Sequence, residues 1–182
     1  GLYVQVTTEA VGRYTPAEQR ALVETLRPAA VSIALREIMA DEETELNRRF
    51  FAGCAEAGCH VQHILYDVAD IRRLGDLVAS GVIPRERLAA LIVLGRYAEG
   101  QRSSPADLHE PAQALLDLLP GVDWAVCAFG PAETDCLVAA RRLGGKARIG
   151  FENNRLNRDG RSARDNAERV AELVAELARL GL

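Results

Sequence analysis

The chain has 182 residues, 48% of them hydrophobic and 26% charged, enough for one sizeable core and too ordered in composition for a disordered or collagenous chain. Its 22 basic and 26 acidic side chains give a net charge of −4, without the basic surface that nucleic-acid binding needs. No apolar run approaches the roughly 20 residues of a membrane-spanning helix, and no basic-then-apolar leader opens the chain, so a cytoplasmic protein with no membrane partner is expected.

Leu2–Thr7 alternates and is β-branched, the pattern of a strand. Thr15-Pro16-Ala17-Glu18 supplies an N-cap, a proline for the first helical position and an acid three residues on, so a helix should run to about Leu26, before Pro28. Ala30–Leu35 reads as the second strand, Glu43–Ala57 as a helix closed by Gly58, and Val61–Tyr66 as the third strand. Val68–Ser80 follows as a helix ending at Gly81. Leu88–Leu94 is apolar throughout, as a strand buried on both faces is. The polar stretch Gly95–Ser104 is a loop, and Pro105 opens a helix that stops before Pro120. Trp124–Ala128 is a strand, Ala132–Leu143 a helix closed by Gly144-Gly145, Ala147–Phe151 the sixth strand, and a last helix starts near Ser162 or Asp165 and ends at Leu180.

Six strand–helix units of about 30 residues each make a parallel α/β sheet and, with no linker, one domain over residues 1–182. Two windings accept the pattern: an open doubly wound sheet, or a (β/α)8 TIM barrel of which two units are not among these residues. Both place chemistry at the carboxyl ends of the strands.

Arg148, Gly150 and Glu152 alternate along the sixth strand, so a cation and a carboxylate share a face with no side chain between them. Such a carboxylate suits a metal ion or a proton transfer; the competing reading is a structural ion pair. Thr7 and Thr8 end the first strand with hydroxyls that suit a carboxylate or phosphate, and Glu9 adds an acid. His60 and His63 point to opposite faces of their strand, with His63 toward the helices if Gln62, Ile64 and Tyr66 face inward, and His109 lies on an amphipathic helix. With no Cys/His cluster, no zinc site is complete in these residues. The thiols of Cys54, Cys59, Cys127 and Cys136 lack zinc spacing and are expected reduced and mostly buried. Gly144-Gly145-Lys146 follows a helix and precedes a strand, the wrong order for a phosphate loop, and is read as a helix cap. Arg96–Arg102 is a charged loop, either covering a site or solvated.

Several of these segments resemble the β-keto acid cleavage enzymes, the family of 3-keto-5-aminohexanoate cleavage enzyme: Val4-Gln5-Val6-Thr7-Thr8, Val93-Leu94-Gly95, Asp123-Trp124-Ala125-Val126, the run Gly144 to Asn154, and Gly160 with Asp165-Asn166-Ala167-Glu168 and Val170. The resemblance implies a (β/α)8 barrel, a homotetramer, one catalytic Zn2+, and transfer of an acyl group from a β-keto acid to the CoA of acetyl-CoA, a transferase or lyase chemistry that leaves acetoacetate. It also implies Glu152 as a metal ligand, Arg148 beside the metal, and Thr7 and Ser32 on the substrate carboxylate. The family's H-x-H ligand pair has no counterpart here, which fits six units where eight are expected. Asn153 stands where the family has an acid/base aspartate, Glu9-Ala10 where it has two glycines, and Ile64 where many members carry glutamate. An amide takes up no proton at neutral pH, so a barrel that keeps the fold and not the cleavage chemistry is the alternative reading.

Overall fold

The computed structural model describes residues 2–182. Its strands are β1 (Val6–Thr7), β2 (Ala30–Ala34), β3 (His60–Leu65), β4 (Ala89–Leu94), β5 (Asp123–Ala128) and β6 (Lys146–Ala147). Its helices are α1 (Pro16–Leu26), α2 (Leu35–Ile38), α3 (Thr44–Glu56), α4 (Val68–Ala79), α5 (His109–Leu118), α6 (Glu133–Arg142) and α7 (Asn166–Leu180). The strands form one sheet in chain order, β1 to β6. A doubly wound sheet reverses its order at a switch point; an unreversed order is the winding of a barrel. The fold is thus a six-stranded parallel α/β sheet of the (β/α)-barrel kind.

The chain groups into two compact units, Gly1–Ala90 with Leu115–Asp123, and Leu91–Ala114 with Trp124–Leu182. In the first unit β1, β2 and β3 pair in parallel, with Thr7 opposite Ser32 and Ser32 opposite Gln62. These three, with Gln5 (whose amide donates to Gln62 Oε1 at 3.2 Å), form a polar row on one face. The other face carries Val31, Ile33, His63 and Leu65, all buried. His63 packs against Phe51 of α3, with ring centres 5.4 Å apart and the planes tilted by 58°, so this is the helix side, as the alternation predicts. The capping box expected at Thr15 is present, Thr15 Oγ1 accepting from Glu18 N and Glu18 Oε2 accepting from Thr15 N. All four cysteines are free and buried. Burial pushes the thiols of Cys54 and Cys136 up to about 12 and 11, which keeps them neutral and poorly nucleophilic.

Burial also pushes His63 down to about 4, and His60 nearby adds to the shift. Above its ordinary pKa of about 6.5 the ring is neutral folded or unfolded. Between about 6.5 and 4 the unfolded chain takes up a proton that the folded one refuses, so stability falls with pH in that window. The loss is on the order of 3 kcal/mol. His63→Leu is expected to flatten that part of the Tm-against-pH curve; an unchanged slope would exclude His63 as its source.

In the second unit β5 and β6 pair in parallel. The two ends of the sheet's ladder are shorter than the alternation predicts. Of Leu2–Thr7 only Val6–Thr7 pairs, and β6 ends at Ala147 rather than Phe151. One further bond, Arg148 N to Val126 O at 2.9 Å, continues the β6 ladder before the chain turns. Gly145 is held against Trp124: a Cβ there would lie 2.7 Å from the indole, so the close approach needs glycine.

Candidate functional site

In the first unit the carboxyl ends of β1 to β3 carry a connected polar cluster. Glu9 Oε1 accepts from Tyr66 Oη at 2.6 Å, and the Arg36 guanidinium lies 4.8 Å from the Tyr66 ring centre. Arg36 in turn binds Asp70 and Asp67, each at 2.6 Å from Nη2. Glu37 is turned back onto the loop after β1, accepting from Ala10 N at 2.6 Å and Val11 N at 3.1 Å. Glu9 is therefore held by Tyr66, a residue whose place at a strand end the sequence gives and whose partner it does not.

Thr7 and Ser32 come together as register partners. Thr7 Oγ1 accepts from Glu9 N at 3.2 Å and reaches Ser32 O at 3.5 Å, while Ser32 Oγ reaches Val6 O at 3.5 Å. The 3.5 Å contacts are at the outer limit of a hydrogen bond, which leaves both hydroxyls exchangeable for a better acceptor. Thr8 is separate from this pair: its backbone N–H binds Ser32 O, the residue is 4% exposed, and its hydroxyl has no partner. Gln62, in the same row as Thr7 and Ser32, joins the candidates through its register alone.

In the second unit Arg148 and Glu152 form an ion pair. Alternation puts the two on one face of a strand, with an ion pair as the competing reading; the pair is made instead across a turn. Asn153 N and Asn154 N both donate to Gly150 O, at 2.9 and 3.1 Å, and residues 150–153 bend back. Side chains capture the N–H groups that a longer strand would have used. Gly150 N donates to Glu133 Oε1 at 3.2 Å, and Phe151 N to Asn166 Oδ1 at 2.8 Å. Gly150 is open for the same reason: a Cβ there would sit 3.1 Å from Asn166 Oδ1, so the space belongs to Asn166 and not to a ligand between Arg148 and Glu152. Asn153 is 8% exposed, its carbonyl accepts from Gly130 N at 3.1 Å, and its side-chain Nδ2 is buried without a partner. A buried amide donor left unpaired costs about 1–3 kcal/mol, a cost that an incoming oxygen removes.

The loop after β4 is pinned at its base and solvated at its tip. Gly95 and Gly130, both with positive φ, face the backbone of residues 101–102 so closely that a Cβ would lie 2.8 Å from a carbonyl oxygen. Ser103 Oγ donates to Phe129 O at 2.7 Å, and Arg96 lies over the Phe129 ring at 5.5 Å. Residues 97–102 are exposed, so the tip of this loop is solvated.

Catalytic zinc takes three protein ligands. Glu152 offers one oxygen donor, with a side chain 60% exposed and held only by its ion pair with Arg148. Among the described residues no group of three or more His, Cys, Asp or Glu side chains is placed to hold a metal ion. Glu152 fits as one member of a donor set, and the residues around it do not complete that set. His63 does not contribute, since it packs against Phe51.

A sheet wound in chain order, followed strand by strand by helices and bearing polar clusters at its carboxyl ends, defines a (β/α)-barrel type of enzyme scaffold. The chain belongs to the beta-keto acid cleavage enzyme family (BKACE), which it matches over residues 1–182. Among solved structures, the binary complex of ObcA with oxaloacetate is similar in fold, with a TM-score of 0.71 at 14% identity, over 98% of this chain and 49% of that one. The chain thus spans about half the length of that protein.

Proposed function

We propose that this chain carries part of the active site of a zinc-dependent β-keto acid cleavage enzyme, in which a β-keto acid R–CO–CH2–COO⁻ and acetyl-CoA give acetoacetate and the thioester R–CO–SCoA. Every atom of the two substrates is retained: the R–CO carbon leaves its CH2 for the thiol sulfur, and the acetyl group takes its place. The observation that carries this reading is the unpartnered, buried Asn153 Nδ2 on the same short turn as Arg148 and Glu152. An oxygen of the substrate is the group that such a donor, beside a guanidinium, accommodates. Family membership supports the substrate class, and six units in a sequentially wound sheet support two further β-α units outside these residues.

Glu152 would hold the metal, which when bound supplies Lewis-acid polarisation of the ketone. Arg148 is the cation for the enolate or carboxylate, because negative charge grows on oxygen as the proton next to the ketone leaves. Asn153 donates a hydrogen bond to that oxygen and moves no proton. Thr7, Thr8 and Ser32 are the hydroxyls for the substrate carboxylate, supported by the weak contacts of Thr7 and Ser32 and by the unpaired hydroxyl of Thr8. A cytoplasmic homotetramer completes the reading.

The test is a panel of β-keto acids with acetyl-CoA and metal-loaded protein, followed by acetoacetate and new-thioester formation. Asn153→Ala is expected to lower kcat about tenfold, the size of one neutral hydrogen bond of about 1.4 kcal/mol. Turnover by the parent with none of that loss would remove Asn153 from the mechanism. The amide at 153 also favours a second reading, a metal-binding barrel without cleavage chemistry. That reading predicts bound metal and no thioester from any member of the panel.

A further inference from the structure

We infer that Arg169 and Glu133 are positioning residues for the turn bearing Arg148, Glu152 and Asn153; the kinetic arm of this inference rests on the function proposed above, and its structural arm does not. Both side chains are 0% exposed and they pair at 2.8 Å. The two oxygens of Glu133 are divided between tasks: Oε2 takes Arg169 Nη2, and Oε1 takes the backbone N–H of Gly150. Arg169 is held at both terminal nitrogens, while its Nε is buried without a partner. Its Nη2 also donates to Thr134 Oγ1 at 3.1 Å, and its Nη1 to Glu172 Oε1 at 2.6 Å and Asn157 Oδ1 at 3.3 Å. Glu172 in turn accepts from Thr134 Oγ1 at 2.8 Å and from Arg158 N at 2.7 Å.

A fully buried ion pair is a poor way to stabilise a fold, since removing two charges from water offsets most of their attraction. Apolar side chains of the same volume would serve the core between α6 and α7 as well. What apolar side chains cannot do is hold Gly150 N. Beyond Arg148 the turn has no ladder bonds, so the N–H groups of Gly150 and Phe151 depend on Glu133 and Asn166. Asn166 opens α7 three residues before Arg169, and Glu133 opens α6. The two helices therefore both reach the turn, α6 through the buried Glu133 and α7 through the exposed Asn166. The direction of the Glu133 carboxylate, set by the Arg169 fork, sets where Arg148, Glu152 and Asn153 are presented.

The experiment compares R169K, R169M and the double variant E133Q/R169M with the parent protein. It reads thermal unfolding, hydrogen–deuterium exchange of the 148–154 segment, and steady-state kinetics with a β-keto acid and acetyl-CoA. R169M should lose Tm, because Glu133 is left buried and uncompensated. The double variant, with neither of these charges, should recover part of that Tm, Glu172 still lacking its cation. Its 148–154 segment should still exchange about tenfold faster than the parent's, with kcat about tenfold lower and KM within about twofold. R169K, which keeps a cation on Glu133, should restore part of both. Parental exchange and kcat in the double variant would make the pair purely structural and overturn the inference. If R169M does not fold, the double variant and R169K still decide it. If the parent turns over no β-keto acid, the proposed function falls while the exchange result alone upholds or rejects the positioning role.

Discussion

Replacing Arg148 with methionine is expected to lower kcat/KM for the β-keto acid by 10²–10³, about 3–4 kcal/mol of transition-state stabilisation. Arg148 is half-exposed and paired with Glu152, whose own side chain is largely exposed. An ion pair that open to water is worth about 0–1 kcal/mol, so little is lost when the guanidinium turns to a substrate oxygen. Its charge matters most as the enolate forms, so the loss should fall on kcat more than on KM. Arg148→Lys should recover only part of the rate, because an ammonium keeps the charge and loses the planar two-pronged donor. A methionine variant within about threefold of the parent would remove Arg148 from the chemistry. Thermal unfolding should move little in either variant, since a half-exposed pair contributes little to the fold.

Glu152→Gln is expected to lower the metal retained per chain at least about tenfold, read by elemental analysis of protein purified without added metal. The amide keeps the size of the side chain and removes the anionic oxygen that a hard or borderline cation takes. The weak hold of Arg148 on that oxygen leaves it available. Unchanged zinc in the glutamine variant would sink the ligand assignment. Metal lost together with turnover would support the cleavage enzyme; metal lost from a parent that never turned over a β-keto acid would support the non-catalytic barrel.

The two variants separate the members of one pair. If Arg148 and Glu152 were only a structural bridge, breaking it from either side would give the same small effect. Distinct outcomes are expected, rate from the arginine and metal occupancy from the glutamate.

Much of the fold was written in local patterns. The capping box at Thr15, the helix stop before Pro28, the all-apolar run of β4, and the cap at Asp165, whose side chain accepts from Glu168 N, each follow from a few neighbouring residues. The facing of His63 toward α3 follows from a period of two. Alternation put Arg148 and Glu152 on one strand face, but the structure brings them together for a different reason: the chain turns at Gly150, where side chains from α6 and α7 take the N–H groups. Nothing near Gly150 in the sequence names Glu133, 17 residues away, as its partner. The order of the strands likewise lies outside local patterns, since barrel and doubly wound sheets repeat the same unit.

The sequence by itself therefore determined the parallel α/β class, the six units, the family and the residues at the carboxyl ends of the strands, because periodicity, caps and motifs are properties of contiguous residues. Tertiary structure decided the winding of the sheet, the turn in place of a longer sixth strand, the buried Glu133–Arg169 junction behind it, the Tyr66 bond to Glu9, and the unpaired Asn153 amide. Each of these depends on which distant group takes a given donor or acceptor, and that is fixed only when the chain packs.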